Sequence, residues 1–417
     1  MLPSGGVGDR SWEVCLPFGW VSSSSTSRVF TKRFLTPPKG CCKSLVNYQE
    51  RYLIMFGGGS LTFFTNDVFV YDLERRGWSF KATGNSDMVA PRLCHSSVIH
   101  RDKMIVYGGQ SMSRPVLYDD VLELDLIRWR WSVLQCTPAG AEGPGARTLH
   151  CAHVNNDRMY VLMGVPPAPR ETPVLYLDLH TRDWHYLSPI LLQDVDTTAE
   201  PAAMPSLCGC SSAVSGDSIY LFGGYRSVEG EWDEQNLFFN CEYVNSLYEY
   251  NMVLNTWRSV SLHPCTPRPA PRYAASVGVH DGYLYLFGGD ANQVGVPLYY
   301  GDLWRIRVQD GLPTWCRVKV AGAFSPSARS GCAYTCARAS LFIVAGEVPL
   351  ENPPYYGCCP ADLFQLPLGY SSQLTLRLTS ARWLGTAARG RGETPSLRKK
   401  ISLTLGAQCA LDEYYGG

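Results

Sequence analysis

The sequence has no excess of charge of either sign, since Lys+Arg and Asp+Glu number 37 each in 417 residues. No net field therefore draws the chain to nucleic acid or to an anionic membrane. A leader is not evident either. Met1-Leu-Pro-Ser-Gly-Gly-Val-Gly-Asp-Arg10 lacks a basic segment followed by an apolar one, and no apolar run of about 18 residues suggests a membrane span. The 16 cysteines include no Cys-x-x-Cys, and Cys41-Cys42 and Cys358-Cys359 are poorly spaced for a tetrahedral metal site. Reduced thiols in cytosol or nucleus are expected, with no metal and no cofactor. Chemistry-bearing motifs are also missing: there is no Gly-x-Gly-x-x-Gly, phosphate-binding loop, His-Glu-x-x-His or Gly-x-Ser-x-Gly. No catalytic residue is assigned.

What the chain has in quantity is aromatics, at 12%, and turn formers, with 39 Gly and 28 Pro. They are arranged in a unit that is clearest from Arg92 to Trp131. There an apolar run, Met104-Ile-Val-Tyr107, ends in Gly108-Gly109, and Leu122-Glu-Leu-Asp125 and Trp131 follow. Runs this short between turn residues predict strands. The run ending in small residues recurs six times, closing at Gly58, Gly109, Gly164, Gly224, Gly289 and Gly346. In four copies an arginine stands 17 residues before that glycine, namely Arg92, Arg147, Arg272 and Arg329. An apolar or aromatic anchor follows each glycine (Tyr71, Leu122, Tyr176, Tyr248, Trp304, Phe364), and Trp78, Trp131, Trp184, Trp257 and Trp315 close five of the units. A single four-stranded unit cannot bury both faces, so the copies are expected to lie side by side.

A recurring glycine pair followed by Tyr and then Trp resembles the kelch repeat, over roughly residues 40 to 385. The resemblance implies an all-β, six-bladed β-propeller, with one blade per unit. Gly57, Gly58, Gly108, Gly109, Gly223, Gly224, Gly288 and Gly289 and the five tryptophans are then architectural. The expected organisation is a closing strand around Trp12 with a connector (1–38), the propeller (39–385) and a tail (386–417). The strand near Trp12 is expected to join the sixth blade, whose own tryptophan is missing at the usual distance.

Function in a ring of repeats is expected where the units differ. The fourth unit departs most, with 24 residues between Gly224 and Tyr248 against 12 or 13 in the first three. Its insertion carries Tyr225, Arg226 and Trp232, and the next unit adds Tyr299 and Tyr300; these five are the candidate peptide-binding residues. The chain is further similar to the kelch domain-containing protein 3 group, substrate receptors of cullin-2 RING ubiquitin ligases. That resemblance implies a box for elongins B and C at Ser396 to Leu405, with Leu397, Ile401 and Leu405 as the docking stripe and Ile401 where the family has Cys. It also implies reading of substrate C-termini through arginines after the fourth glycine pair, where Tyr225 here replaces one and Arg226 remains. The box has a second reading as a strand, since Ile401-Ser-Leu-Thr-Leu405 alternates. A scaffold that binds another protein without recruiting a ligase is the alternative function.

Overall fold

The structure, a computed structural model, describes residues 13–14, 37–60, 63–111, 116–138, 144–165, 174–192, 204–227, 241–263, 266–293, 296–309, 311–319, 326–350, 356–359 and 362–368. Six four-stranded antiparallel sheets follow one another as blades. Blade 1 comprises Ser44–Tyr48, Tyr52–Phe56, Val68–Asp72 and Gly77–Lys81, and blade 2 Ser96–His100, Lys103–Tyr107, Val121–Asp125 and Arg130–Val133. Blade 3 runs from Cys151–Asn155 through Arg158–Leu162 and Val174–Asp178 to Trp184–Leu187. Blade 4 takes Ser211–Ser215, Ser218–Phe222, Leu247–Asn251 and Thr256–Ser259, with Ile190–Leu191 added in parallel at its edge. Blade 5 is Ser276–His280, Tyr283–Phe287, Leu303–Arg307 and Cys316–Val318. In blade 6, Ala333–Ala337, Ser340–Val344 and Leu363–Pro367 are joined by Glu13–Val14, with Glu13 opposite Gln365 and Val14 opposite Phe364. Trp12 itself lies outside the described residues.

Each blade is covered on both faces by its neighbours, so its second strand is a run of at least four consecutive apolar residues rather than an alternating one. Tyr52–Phe56 and Ser218–Phe222 are nearly or wholly buried along their length. The core is accordingly divided into six clusters, one at each junction between blades, including the junction of blade 6 with blade 1. The five repeat tryptophans are all buried in these junctions. Trp131 meets Phe56 of blade 1, Trp184 meets Tyr107 of blade 2, and Trp315 meets Phe222 of blade 4, with ring centroids 5.0–5.3 Å apart. Burying one such ring contributes about 3 kcal/mol.

Two collars of backbone hydrogen bonds tie the blades around the axis. In the outer collar the N–H of each unit's last glycine donates to a carbonyl of the next blade. Gly58 bonds Arg92, Gly109 bonds Arg147, Gly164 bonds Leu207, Gly224 bonds Arg272, Gly289 bonds Arg329 and Gly346 bonds Gly40, at 2.8–3.0 Å. Gly58 sits at φ +80°, and a Cβ there would strike Lys43 Cγ at 2.2 Å, so the glycine is obligatory. In the inner collar, Cys94 donates to Cys42, Leu149 to Cys94, Gly209 to Leu149, Ala274 to Gly209, Gly331 to Ala274, and Cys42 to Gly331, at 2.9–3.2 Å. All six of these residues have φ between +50° and +63°. Four of them are not glycine, and each bears a conformational cost of about 1 kcal/mol.

Side chains reinforce the collars. Arg92 grips Asp120 with both nitrogens at 2.6 and 2.8 Å, and Arg272 grips Asp302 at 2.6 and 3.0 Å. The same two arginines donate to the carbonyls of Gly108 and Gly288, so each fixes the glycine turn of its own blade. Histidines bridge neighbouring blades: His95 Nε2 lies 2.9 Å from Ser44 Oγ, and His150 Nε2 lies 2.8 Å from Ser96 Oγ. Burial holds both imidazoles below their ordinary pKa, with His150 lowered to about 3.

Candidate functional site

The glycine turns deliver the chain to one end of the ring. There the residue after each turn forms an antiparallel bridge with the residue just before the inner-collar position of the same blade. The six bridges pair Cys41 with Gly59, Leu93 with Gln110, Thr148 with Val165, Cys208 with Tyr225, Tyr273 with Asp290, and Ser330 with Glu347. The backbone is repeated while the side chains are not, so these positions give this end of the ring its chemical character.

Two halves result. Around blades 3 and 4 the floor is apolar: Val165, Cys208 and Tyr225 form a buried cluster, with Leu149, Cys241, Tyr243 and Tyr273 against it. Tyr225 and Tyr273 meet edge to face at 5.3 Å. Around blades 5, 6 and 1 the floor is polar, with Asp290, Glu347, Ser330 and the Cys41 thiol. Asp290 is buried, and burial raises its pKa to about 7, with Glu347 adding to the rise and a hydrogen bond from Ser330 opposing it. Lys43 is also buried, its Nζ donating to the Gly57 carbonyl at 3.2 Å, and burial lowers its pKa.

Above this floor the insertions of three consecutive blades begin and end as hairpins. Tyr225–Ser227 pairs with Cys241–Tyr243, Asp290–Gln293 with Val296–Tyr299, and Glu347–Pro349 with Tyr356–Cys358. Blade 2 carries a shorter one, Gln110–Ser111 with Val116–Leu117.

The residues singled out from sequence fall in different places. Arg226 is exposed on the blade 4 hairpin, but its fork is engaged across the hairpin by Glu242, at 2.8 Å from Nε and 2.7 Å from Nη2. Tyr225, next to it, is fully buried and acts as floor rather than as surface. Tyr300 lies under the Arg272 guanidinium at 3.9 Å, as Tyr118 lies under Arg92 at 4.3 Å, which makes it part of the repeated framework. Tyr299 extends its hydroxyl to within 3.4 Å of Glu347 Oε2 on the next blade. Trp232, Leu397, Ile401 and Leu405 lie outside the described residues.

The fold gathers on the polar half four residues outside the sequence-based candidates, namely Asp290, Glu347, and Cys41 and Cys358, whose adjacent-cysteine spacing counted against a metal site. A signal for them existed, because Tyr225, Asp290 and Glu347 all stand immediately after the small pair that ends the second strand. The unequal loop lengths drew attention to the insertions instead.

No helix among the described residues is long and apolar enough to cross a membrane. The family model described as the KLHDC2/KLHL20/DRC7 Kelch-repeats domain matches residues 21–164 and 168–409. Among curated proteins, the chain is 25% identical over 265 residues to the leucine-zipper-like transcriptional regulator 1 homolog of Drosophila melanogaster, covering 60% of this chain and 24% of that protein. It is 26% identical over 263 residues to acyl-CoA-binding domain-containing protein 5 of Arabidopsis thaliana, covering 61% and 36%. It is 25% identical over 317 residues to human kelch domain-containing protein 10, covering 73% and 64%. The chain thus spans less than two thirds of each of these relatives. The six blades, the repeated glycine turns and a family match over most of the sequence lead to one assignment: the chain belongs to the KLHDC2/KLHL20/DRC7 kelch-repeat family.

Proposed function

We propose that the protein recognises a protein or peptide at the end of the ring bearing the three hairpins, with no catalysis of its own. The observation that carries this reading is the concentration of chain-specific side chains there, on an otherwise repeated backbone. An apolar half beside an acidic half suits a segment presenting an aromatic or aliphatic residue next to hydrogen-bond donors or a cation. A C-terminal carboxylate would meet Arg226 either in place of Glu242 or at the guanidinium edge that Glu242 Oε2, held by Nε and Nη2, does not engage.

We further propose that recognition serves a cullin–RING ubiquitin ligase, with elongins B and C docking on Leu397, Ile401 and Leu405 and with cullin-2 beyond them. What supports this is that, among the described residues, blade 6 already has four strands, none of them from beyond Pro367. The test is co-purification of elongins B and C with the full chain, lost in Leu397→Asp. Absence of both from the wild-type complex removes the ligase reading and leaves a kelch scaffold. That second reading is favoured by one observation, that the kelch-repeat match runs on to residue 409 and so takes the tail as repeat.

A further inference from the structure

Cys41, Glu347 and Cys358 form a compact triad on the polar half of the floor. Their two thiol sulfurs and a carboxylate oxygen all lie within 4.8 Å of one another. Glu347 and Cys358 are directly opposite in the blade 6 hairpin, and Cys41 approaches from blade 1 with its Sγ 3.0 Å from Glu347 Oε1. The ligand set therefore comes from the two ends of the repeat array and meets at the junction where the ring closes. This proximity is invisible in local spacing, since 306 residues separate Cys41 from Glu347.

We propose that Cys41, Glu347 and Cys358 bind one zinc-class divalent cation, which clasps blade 1 to blade 6. Two thiolates select zinc or a similar soft to borderline ion over calcium or magnesium, which demand oxygen donors. Zinc takes sulfur at about 2.3 Å and carboxylate oxygen at about 2.1 Å, which puts tetrahedral ligand atoms some 3.5–3.8 Å apart. The distances present, 3.0 Å from Cys41 Sγ to Glu347 Oε1 and none of the three above 4.8 Å, bracket that spacing.

The surroundings fit such an ion. Binding releases the two thiol protons to solvent and leaves two thiolates and one carboxylate, three negative charges against the two of the metal. Lys43, buried two residues from Cys41 with its Nζ on the Gly57 carbonyl, is the neighbouring cation that would offset the remaining charge. The Tyr299 hydroxyl stands 3.4 Å from the second oxygen of Glu347, where an outer-shell partner of a ligating carboxylate would be placed. Three protein ligands leave the fourth position open to water or to a donor atom from a bound segment.

The experiment uses the full-length chain, purified with a reductant and stripped with a chelator, then titrated with Co²⁺ as a spectroscopic substitute for Zn²⁺. The expected result is one equivalent of cobalt with thiolate-to-metal charge-transfer absorption, displaced by zinc, together with a higher melting temperature in zinc. Cys358→Ser should abolish the charge-transfer band, and Glu347→Gln should weaken affinity at least about tenfold. Cys136→Ser, in a distant thiol, should change nothing. Near-ultraviolet circular dichroism shows whether each variant is folded, and Glu347→Gln carries the test if Cys358→Ser is not. No charge-transfer band, or a band unchanged in both Cys358→Ser and Glu347→Gln, overturns the proposal. So does a Cys41–Cys358 disulfide that persists in the reductant and excludes the metal.

Discussion

Lowering the pH from 7 to 5 protonates an ordinary histidine in an unfolded chain, while His150 in the folded ring stays neutral. Its imidazole is buried between blades 2 and 3 with its pKa lowered to about 3, burial being the main cause and Arg147 adding to it. The charged form also carries a proton on Nδ1, a buried atom with no hydrogen-bond partner. Because the folded pKa is depressed, the stability linked to this residue is complete above the unfolded value of about 6.5 and is lost as the pH falls. Between pH 7 and pH 5 the loss amounts to about 2 kcal/mol. The amount depends on the unfolded pKa alone as long as the folded value stays well below 5.

Asp290 works in the opposite sense. Its folded pKa is raised to about 7, so the stability it lends is present at low pH and disappears as the pH rises through that value. Over the same interval it returns about 2 kcal/mol, which hides the histidine in the total curve. A difference measurement separates them. His150→Gln retains a polar partner for Ser96 and is expected to be about 1–2 kcal/mol less stable than wild type at pH 7. That deficit should shrink by about 2 kcal/mol at pH 5. Urea unfolding at several pH values, with a chelator present, reads it through tryptophan fluorescence, since Tyr107 lies between His150 and Trp184 with its ring centroid 5.1 Å from each. A deficit that is the same at pH 7 and pH 5 would refute the reasoning.

Asp302→Asn leaves Arg272, whose side chain is wholly buried, without its counter-charge, and should cost about 3 kcal/mol in chemical denaturation. Adding Arg272→Met should recover part of that loss, whereas equal stability of the single and double variants would argue against a paired charge. In the inner collar, Ala274→Gly relieves a φ of +50° and should raise stability by up to about 1 kcal/mol, read as a shift in the urea midpoint. Gly331→Ala should lower it by about the same amount, because a Cβ there meets nothing closer than 3.6 Å and only the backbone cost remains. Removing residues 1–20 takes Glu13–Val14 from the edge of Leu363–Pro367 and should lower the melting temperature sharply; an unchanged melting curve would show that the strand does not fasten the ring.

The fold was legible because its determinants are local and repeated. A glycine pair at the end of an apolar run, an arginine upstream and a tryptophan downstream need only be counted to give six blades. The floor of the candidate site was not legible in this way. Cys41 and Cys358 are each next to another cysteine in sequence, a spacing that argued against a metal, and only ring closure places them together. Tyr300 misled for the converse reason. Its position in a long loop marks it as variable, yet the arginine it supports is one of the repeated four. Arg226 stood out in the sequence as the lone basic residue beside the fourth glycine turn, and the structure pairs it with Glu242. Its partner Glu242 could not be inferred, because it stands 16 positions further along the chain, where the hairpin returns.

The inner collar bears on how the protein comes apart. In a linear array of repeats the outermost copies have one neighbour each, and they unravel first. Here every member of the collar is both donor to one blade and acceptor from another, so no blade is terminal. Breaking any single link, wherever it lies, turns a circle into a row with two loose ends. Unfolding should then spread from the broken junction in both directions as one event, and native-state hydrogen exchange should find the six collar amides opening together rather than in blade order.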